Sequence, residues 1–421
     1  MKNPRGLKNT MLTPSTFDWT RGSWSDPLGR TPDTRICIAG DWAPIRDFKT
    51  LVETRPESVY GDLLPLLRAA DLAVVNLEAP LSDSGSPVYK SGAVFKGEDR
   101  HVHGLTAVPF HVATLANNHV LDYGIKAFSD TLAALDRNAI RWTGAGMSID
   151  QAADPLILTI NGTRITIINF SEGEDLTAAG AGPGVMGWDL DRVEQAVREA
   201  KPRTDFILVI AHCGIEYIPF PPPYVVNAFQ RMAEAGADLV IGHHPHVPQG
   251  IGFHKSVPLC YSLGNFIFFQ PTNLMYRKLG YLVTVGLNSG DLVSLELTPY
   301  AIHDRGVSTL DSQQHESFFT TLKELSMPLN EPSGVEDAWH GFLSYYGNQG
   351  FMDEVTMILD RIRQEPRKGA AMFRNRMTTL QHYLHWKDLL TRMVDQNLDP
   401  APEWAKTRIK EYLTRTLDTK Q

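Results

Sequence analysis

Three histidines, His243, His244 and His246, fall within four positions in the stretch GHHPHVPQ at 242–249. They follow an apolar run, and four other apolar runs end in residues of comparable chemistry. ICIAGD ends in Asp41, AVVNLE in Asn76 and Glu78, and ATLANNH in Asn117, Asn118 and His119. ILVIAH ends in His212, with Glu216 four residues later. Imidazole, carboxylate and amide oxygen together suit Mn, Fe or Zn, rather than calcium or a thiolate zinc site. Taken singly, a histidine after a strand is commonly a hydrogen-bonded structural residue, and an aspartate there caps a turn. Five such segments at once, reinforced by His-x-His, point to one or two divalent metal ions. Such ions lower the pKa of a bound water from ~15.7 toward ~7 and polarise a phosphoryl or carbonyl oxygen.

The elements that must position these residues read as an α/β domain. Short apolar runs (RICIAG, DLAVVNLE, HVATLAN, PLILTI, RITIINF, DFILVIAH, ADLVIGHH and VPLCYSLGNF) alternate with helical stretches at 61–70, 125–138, 190–199 and 225–235. Strands apolar on both faces, interleaved with amphipathic helices, form buried sheets covered by helices. The C-terminal ends of parallel strands converge on one edge, where ligands bind, so the five segments deliver their ligands to one rim. KLGYLVTVGL and DLVSLELTPY form a hairpin with Asn-Ser-Gly-Asp at its turn.

Three regions follow. Residues 1–33, polar and rich in turn formers, read as an N-terminal arm. Residues 34–309 carry the strand pattern. Residues 310–421 lose it and show helical apolar faces, such as Trp339, Phe342, Leu343 and Tyr346, then Phe351, Val355, Ile358, Leu359 and Ile362, then Phe373, Met377, Leu380 and Leu384. This helical extension is expected to pack on the body, to form a homodimer or to serve as a lid.

A formal charge of −8 argues against nucleic-acid binding and a polybasic membrane anchor. No stretch of about 20 apolar residues indicates a membrane span, and no leader is apparent at the N-terminus, so the cytoplasm is the expected compartment. Cys37, Cys213 and Cys260 form no CxxC pair and read as buried reduced thiols.

In order, the motifs are GD at 40–41, NLEAPL at 76–81, ANNHVLDYG at 116–124, AHCGIEY at 211–217, GADLVIGHHPHVPQG at 236–250 and YSLGNFIF at 261–268. This set resembles the bacterial poly-γ-glutamate capsule synthesis (CapA) family, a branch of the calcineurin-like metallophosphoesterases, over residues 35–300. The resemblance implies a four-layer α/β/β/α sandwich with a metal site at one edge of its sheets. It implies Asp41 and His246 as ligands of a first metal, Glu78 as the bridging carboxylate, and Asn118, His212 and His244 as ligands of a second. His119 resembles the histidine that contacts the substrate oxyanion or protonates the leaving group, and Asp122, three residues on, would orient it. Glu216 is assigned as a supporting group or base. Asn76, Lys90, Lys96 and His243 are assigned to substrate binding, the lysines by their place in VYKSGAVFKGEDR.

Two departures stand out. The superfamily opens with Asp-x-His, whereas Asp41-Trp42-Ala43 lacks the second histidine, and Glu78 replaces an aspartate. The expected function is a metal-dependent hydrolase or transferase acting on a phosphoryl or glutamyl/amide-type substrate, in polyglutamate-like or small-molecule biosynthesis. The alternatives are a non-catalytic accessory of capsule polymer synthesis or export, or a general phosphoesterase.

Overall fold

A computed structural model describes residues 12–395 and 401–417. Its first sheet has eight strands. Strands β2 (Thr34–Trp42), β3 (Leu72–Leu77), β4 (Val112–Thr114) and β5 (Arg141–Thr143) run parallel in that order. On the other side of β2 the sheet continues antiparallel through β14 (Leu279–Asn288), β15 (Asp291–His303) and β1 (Ser23–Ser25), with β16 (Gly306–Thr309) also on β15. The second sheet has the order β12 (Ile251–His254), β13 (Val257–Cys260), β11 (Leu239–His243), β10 (Phe206–His212), β8 (Thr163–Ser171), β7 (Leu156–Ile160). Its strands β8, β10, β11 and β13 are parallel. A small ribbon pairs β6 (Ala145–Gly146) with β9 (Gly184–Val185).

The two-residue period of a strand explains how these elements stack. On β2 and β3, Ile36, Ile38, Leu72 and Val74 face the second sheet, which answers with Ile165, Ile167, Phe206, Leu208, Ile210, Leu239 and Ile241. The alternate residues Cys37, Ala39, Ala73 and Val75 face outward onto α1 (Asp47–Thr54), α2 (Leu64–Arg68), α3 (Val102–Ala107) and α4 (Gly124–Arg137). Ile168, Phe170, Ile207, Val209, Ala211 and Val240 meet α5 (Ile149–Ala153), α6 (Leu190–Ala200) and α7 (Pro223–Ala235) on the far side. The result is a four-layer α/β/β/α sandwich. All three cysteines are free and buried.

The segment after residue 310 is helical: α8 (Ser312–Ser326), α9 (Gly334–Gln364), α10 (Pro366–Thr378), α11 (Leu380–Val394) and α12 (Glu403–Thr414). Phe318, Phe319 and Leu322 of α8 close one end of the inter-sheet core, alongside Leu12, Phe17 and Trp24. The described part of the N-terminal arm is thus built into the body, with Trp24 opposite Leu295. Trp339, Phe342, Leu343, Leu389, Ile409 and Tyr412 pack with Ile218, Phe220, Val247 and Tyr276 of the body. Leu359 and Met377, expected on apolar faces, are exposed. The hairpin β14–β15 turns at Asn288 and Asp291 as the Asn-Ser-Gly-Asp signal predicts. Elsewhere the strand pattern ran long: HVATLAN yields only Val112–Thr114, and VPLCYSLGNF only Val257–Cys260. The helix expected over 61–70 is a 3₁₀ turn at Ser58–Leu63 that continues as α2, broken by Gly61 at φ 51°. No helix of the described residues is long and apolar enough to cross a membrane.

Candidate metal centre

Parallel pairing sets the centre. The register puts Asp41 beside Asn76 and His212 beside His243, so the ends of four strands from two sheets share one rim. The chain approaches itself closely there. A side chain at Gly40 would meet the Gly264 carbonyl oxygen at 2.3 Å, and one at Gly242 the Tyr261 carbonyl oxygen at 2.0 Å. Only glycine allows these approaches, so GD and GHH begin with it.

Two sets of candidate ligand side chains adjoin Glu78. In the first, Nε2 of His212 lies 3.0 Å from Asn118 Oδ1, 3.1 Å from His244 Nδ1 and 3.4 Å from Glu78 Oε1. In the second, Nδ1 of His246 meets Asn265 Oδ1 at 2.8 Å, which directs Nε2 toward Glu78 Oε1 at 3.7 Å. Asp41 Oδ2 is 3.3 Å from the His246 ring. Glu78, His244 and His246 offer ligand atoms that all lie within 4.8 Å of one another.

These residues fit a divalent cation. Asp41 Oδ2 and both carboxylate oxygens of Glu78 are buried with no hydrogen-bond partner. Buried, unpaired carboxylate oxygens are strongly unfavourable unless a cation compensates them. The electrostatics agree. Burial and the Asp41 charge push Glu78 well above the usual carboxylate range. Burial would lower His246, but Glu78 and Asp41 outweigh it and raise the imidazole to about 10. Burial would raise Asp41, yet His243 and His246 hold it well below its ordinary value. Burial and His244 drive His212 well down, leaving a bare ring nitrogen. A cation bound here would compensate the buried carboxylates of Asp41 and Glu78.

His119 stands at the edge of this cluster, with Nε2 4.0 Å from Glu78 Oε1. Its Nδ1 lies 2.6 Å from Asp122 Oδ2. Burial lowers the His119 pKa. Asp122 also accepts from Lys90 Nζ at 2.9 Å and from the Phe95 amide at 2.6 Å. Burial alone would raise Asp122; His119 and Lys90 outweigh it and keep it ionised.

Of the residues assigned to substrate binding, Asn76, Lys90 and His243 are buried and Lys96 lies outside the cluster. Lys90 is buried, and its Nζ donates to Asp122 and to the Asn118 carbonyl at 2.6 Å, so it braces the histidine rather than facing the pocket. Lys96 lies over the Tyr123 ring at 4.7 Å and 3.4 Å from the Ser84 carbonyl, outside the cluster. Asn76 is buried between Asp41 Oδ1, at 2.8 Å, and His212 Nδ1, at 3.3 Å. His243 is buried with Nδ1 3.3 Å from Asp41 Oδ1. Glu216 is exposed on the rim, hydrogen-bonded to Tyr217. Position 43 is a buried alanine, so nothing there adds to Asp41, Glu78 and His246.

Several residues escaped the sequence reading. Glu174 Oε2 accepts from Asn118 Nδ2 at 2.9 Å, which turns the amide oxygen of Asn118 inward. Glu174 is held well below its ordinary value, because His382, His244 and Lys90 outweigh its burial. It follows the parallel strand β8, so the same strand-end rule applied to SEGE would have found it. Asn265 lies within the quoted YSLGNFIF. From the C-terminal helices, Asn375 Nδ2 reaches Glu174 Oε1 at 2.9 Å, Gln381 Oε1 lies 3.4 Å from His244 Nε2, and His382 Nε2 lies 3.5 Å from Glu174 Oε1. No strand-end cue exists for residues on helices.

The four-layer sandwich carries this centre at the ends of its parallel strands. Residues 35–270 match the family of bacterial capsule synthesis protein PGA_cap, and the chain belongs to that family. It is 30% identical over 295 residues to the PGA biosynthesis protein CapA of Bacillus subtilis (strain 168), covering 67% of this chain and 74% of that protein. It is 29% identical over 282 residues to the capsule biosynthesis protein CapA of Bacillus anthracis, covering 64% and 67%. A probable polyglutamine synthesis accessory protein of Mycobacterium tuberculosis is 28% identical over 290 residues, covering 63% and 76%. Among solved structures, a 5′-nucleotidase precursor from Thermus thermophilus is similar at a TM-score of 0.42 and 13% identity, covering 68% of this chain and 58% of that one.

Proposed function

We propose that the chain is a metal-dependent hydrolase or transferase acting on a phosphoryl or glutamyl/amide-type substrate. The observation that carries this reading is His119, held by a buried Asp122–Lys90 pair at the edge of the ligand cluster. A metal serving structure alone has no need of an oriented imidazole beside it. Asn118, His212, His244 and Glu78 would hold one cation, and Asp41, Glu78 and His246 a second. When bound, a divalent ion supplies Lewis-acid polarisation of the substrate oxygen and acidifies water. The Nδ1 proton of His119 is committed to Asp122, so Nε2 is the atom that takes or gives a proton at the leaving group. Asp122 stays ionised beside Lys90 and steadies the imidazolium when it forms.

The test uses protein reconstituted with Mn, Fe or Zn and assayed on phosphomonoesters, phosphodiesters and γ-glutamyl amides. His119→Asn is expected to lower kcat by about 10²–10⁴ with metal content unchanged. Equal turnover in both proteins, or none on any class by the loaded protein, would leave the second reading: a non-catalytic accessory of polymer synthesis. The name of the Mycobacterium tuberculosis relative favours that reading.

A further inference from the structure

The cluster is closed on one side. Behind His212 and His244, Glu174 and Gln381 leave only about 10 Å³ of cavity, and Asn375 and Gln381 are buried. On the other side lies a strip of rings. His119 is 4.3 Å from Phe95, Phe95 is 5.4 Å from Phe268, Phe268 is 4.8 Å from His246, and His246 is 6.0 Å from Tyr217, centroid to centroid. Phe95 and Tyr217 are half-buried and Glu216 is exposed, so this strip forms the approach to the centre.

Two rings of the strip carry a guanidinium. Arg277 Cζ lies 3.5 Å above the Tyr217 ring, and Arg46 Cζ lies 5.4 Å from the Phe95 ring. Arg46 uses one nitrogen to donate to the Phe269 carbonyl at 2.6 Å. Nε of Arg277 is buried and has no hydrogen-bond partner. Among the described residues neither arginine has a carboxylate oxygen within 4.0 Å. An arginine stacked on an aromatic ring has its planar fork of donors fixed in direction, which matches the two oxygens of a carboxylate or phosphate. A buried donor left unpaired is unfavourable by about 1–3 kcal/mol, so it marks a place for an acceptor.

We propose that Arg277, with Arg46 opposite, forms an anion subsite beside the metal centre, taking a carboxylate or phosphate that the substrate carries away from its reacting group. The proposal rests on the enzymatic reading above and deepens it: the substrate bears a second anionic group. Arg277 lies beyond residues 35–270, outside the stretch that matches the family. Tyr217 is the platform, and the half-buried Phe95 meets the apolar part between the two anions.

Binding is read without turnover, so a catalytically silent protein leaves this result intact. Glutarate and inorganic phosphate are titrated calorimetrically into protein stripped of metal by chelation. At least one is expected to bind, and the tighter of the two identifies carboxylate or phosphate as the natural group. Arg277→Gln should weaken it at least tenfold, Arg46→Gln to a lesser degree. His212→Ala, on the closed side, should leave it within twofold. Arg277→Lys keeps the charge without the fork and should fall between wild type and glutamine, and it replaces Arg277→Gln if that variant fails to fold. No binding to the wild type, unchanged binding after both Arg277 substitutions, or loss in His212→Ala would each overturn the subsite.

Discussion

His244 and His246 occupy φ 99° and 58°, left-handed conformations that a side chain with a Cβ adopts only under strain. Pro245 lies between them, and the strained turn sets His244 Nδ1 3.1 Å from His212 Nε2 and His246 Nε2 3.7 Å from Glu78 Oε1. This strain has a measurable signature. In metal-free protein, His244→Gly should be more stable than His244→Ala by roughly 1 kcal/mol, because glycine adopts the conformation freely; equal melting temperatures would show an unstrained loop. Glu78→Gln in metal-free protein should be neutral or stabilising, since burial and Asp41 disfavour a charge there and glutamine carries none, while abolishing the rise in melting temperature expected with metal in the wild type. Most of these groups were legible because each ends an apolar strand, whereas the distinction of His244 and His246 from His243 came from the family resemblance and not from the spacing of GHHPH. The environment was not legible: VYKSG offers Lys90 as a cation for an anionic substrate, and only tertiary packing turns it inward to Asp122.

At the scale of elements, the C-terminal helices present a buried histidine. His385 of α11 lies 4.2 Å from Tyr346 and 4.7 Å from Phe342 of α9, ring to ring, and its Nε2 has no partner. Burial lowers its pKa to about 3. Its folded pKa is therefore below its unfolded value of 6.5, so the unfolded state binds more protons between these limits. The packing of α11 on α9 should be at full strength above pH 6.5 and weaken as pH falls toward 3, by on the order of a few kcal/mol. His385→Phe should flatten that acid slope, followed by hydrogen exchange of α9 and α11; an unchanged slope would assign it to other groups. Apolar spacing revealed these helices but not their breaks. Gly347, at φ 59° and ψ −175°, interrupts α9, so the faces of its two halves do not align as a single helix would set them. Met377 and Leu359 are exposed for a related reason: the spacing shows that a helix has a stripe, not which stripe meets the body.

For the whole molecule, stability rests on the inter-sheet core, to which a cation bound at the rim would add. Ile210 is fully buried between the sheets, and Ile210→Ala should destabilise by about 2–5 kcal/mol in thermal or denaturant unfolding. Metal at about 100 times its dissociation constant should add about 2.7 kcal/mol, and chelation should remove it. The tail takes part in both sides of the site. Tyr412 of α12 stacks on Tyr276 at 3.7 Å and donates to the Pro248 carbonyl at 3.1 Å, two residues past His246 and one before Arg277. Asn375, Gln381 and His382 stand behind Glu174 and His244. All the residues expected to ligate metal lie before residue 270, whereas the wall behind them belongs to the tail. The chain is thus divided as a tool handle is from its bit: one part supplies the candidate ligands, and the other the surface against which they are held.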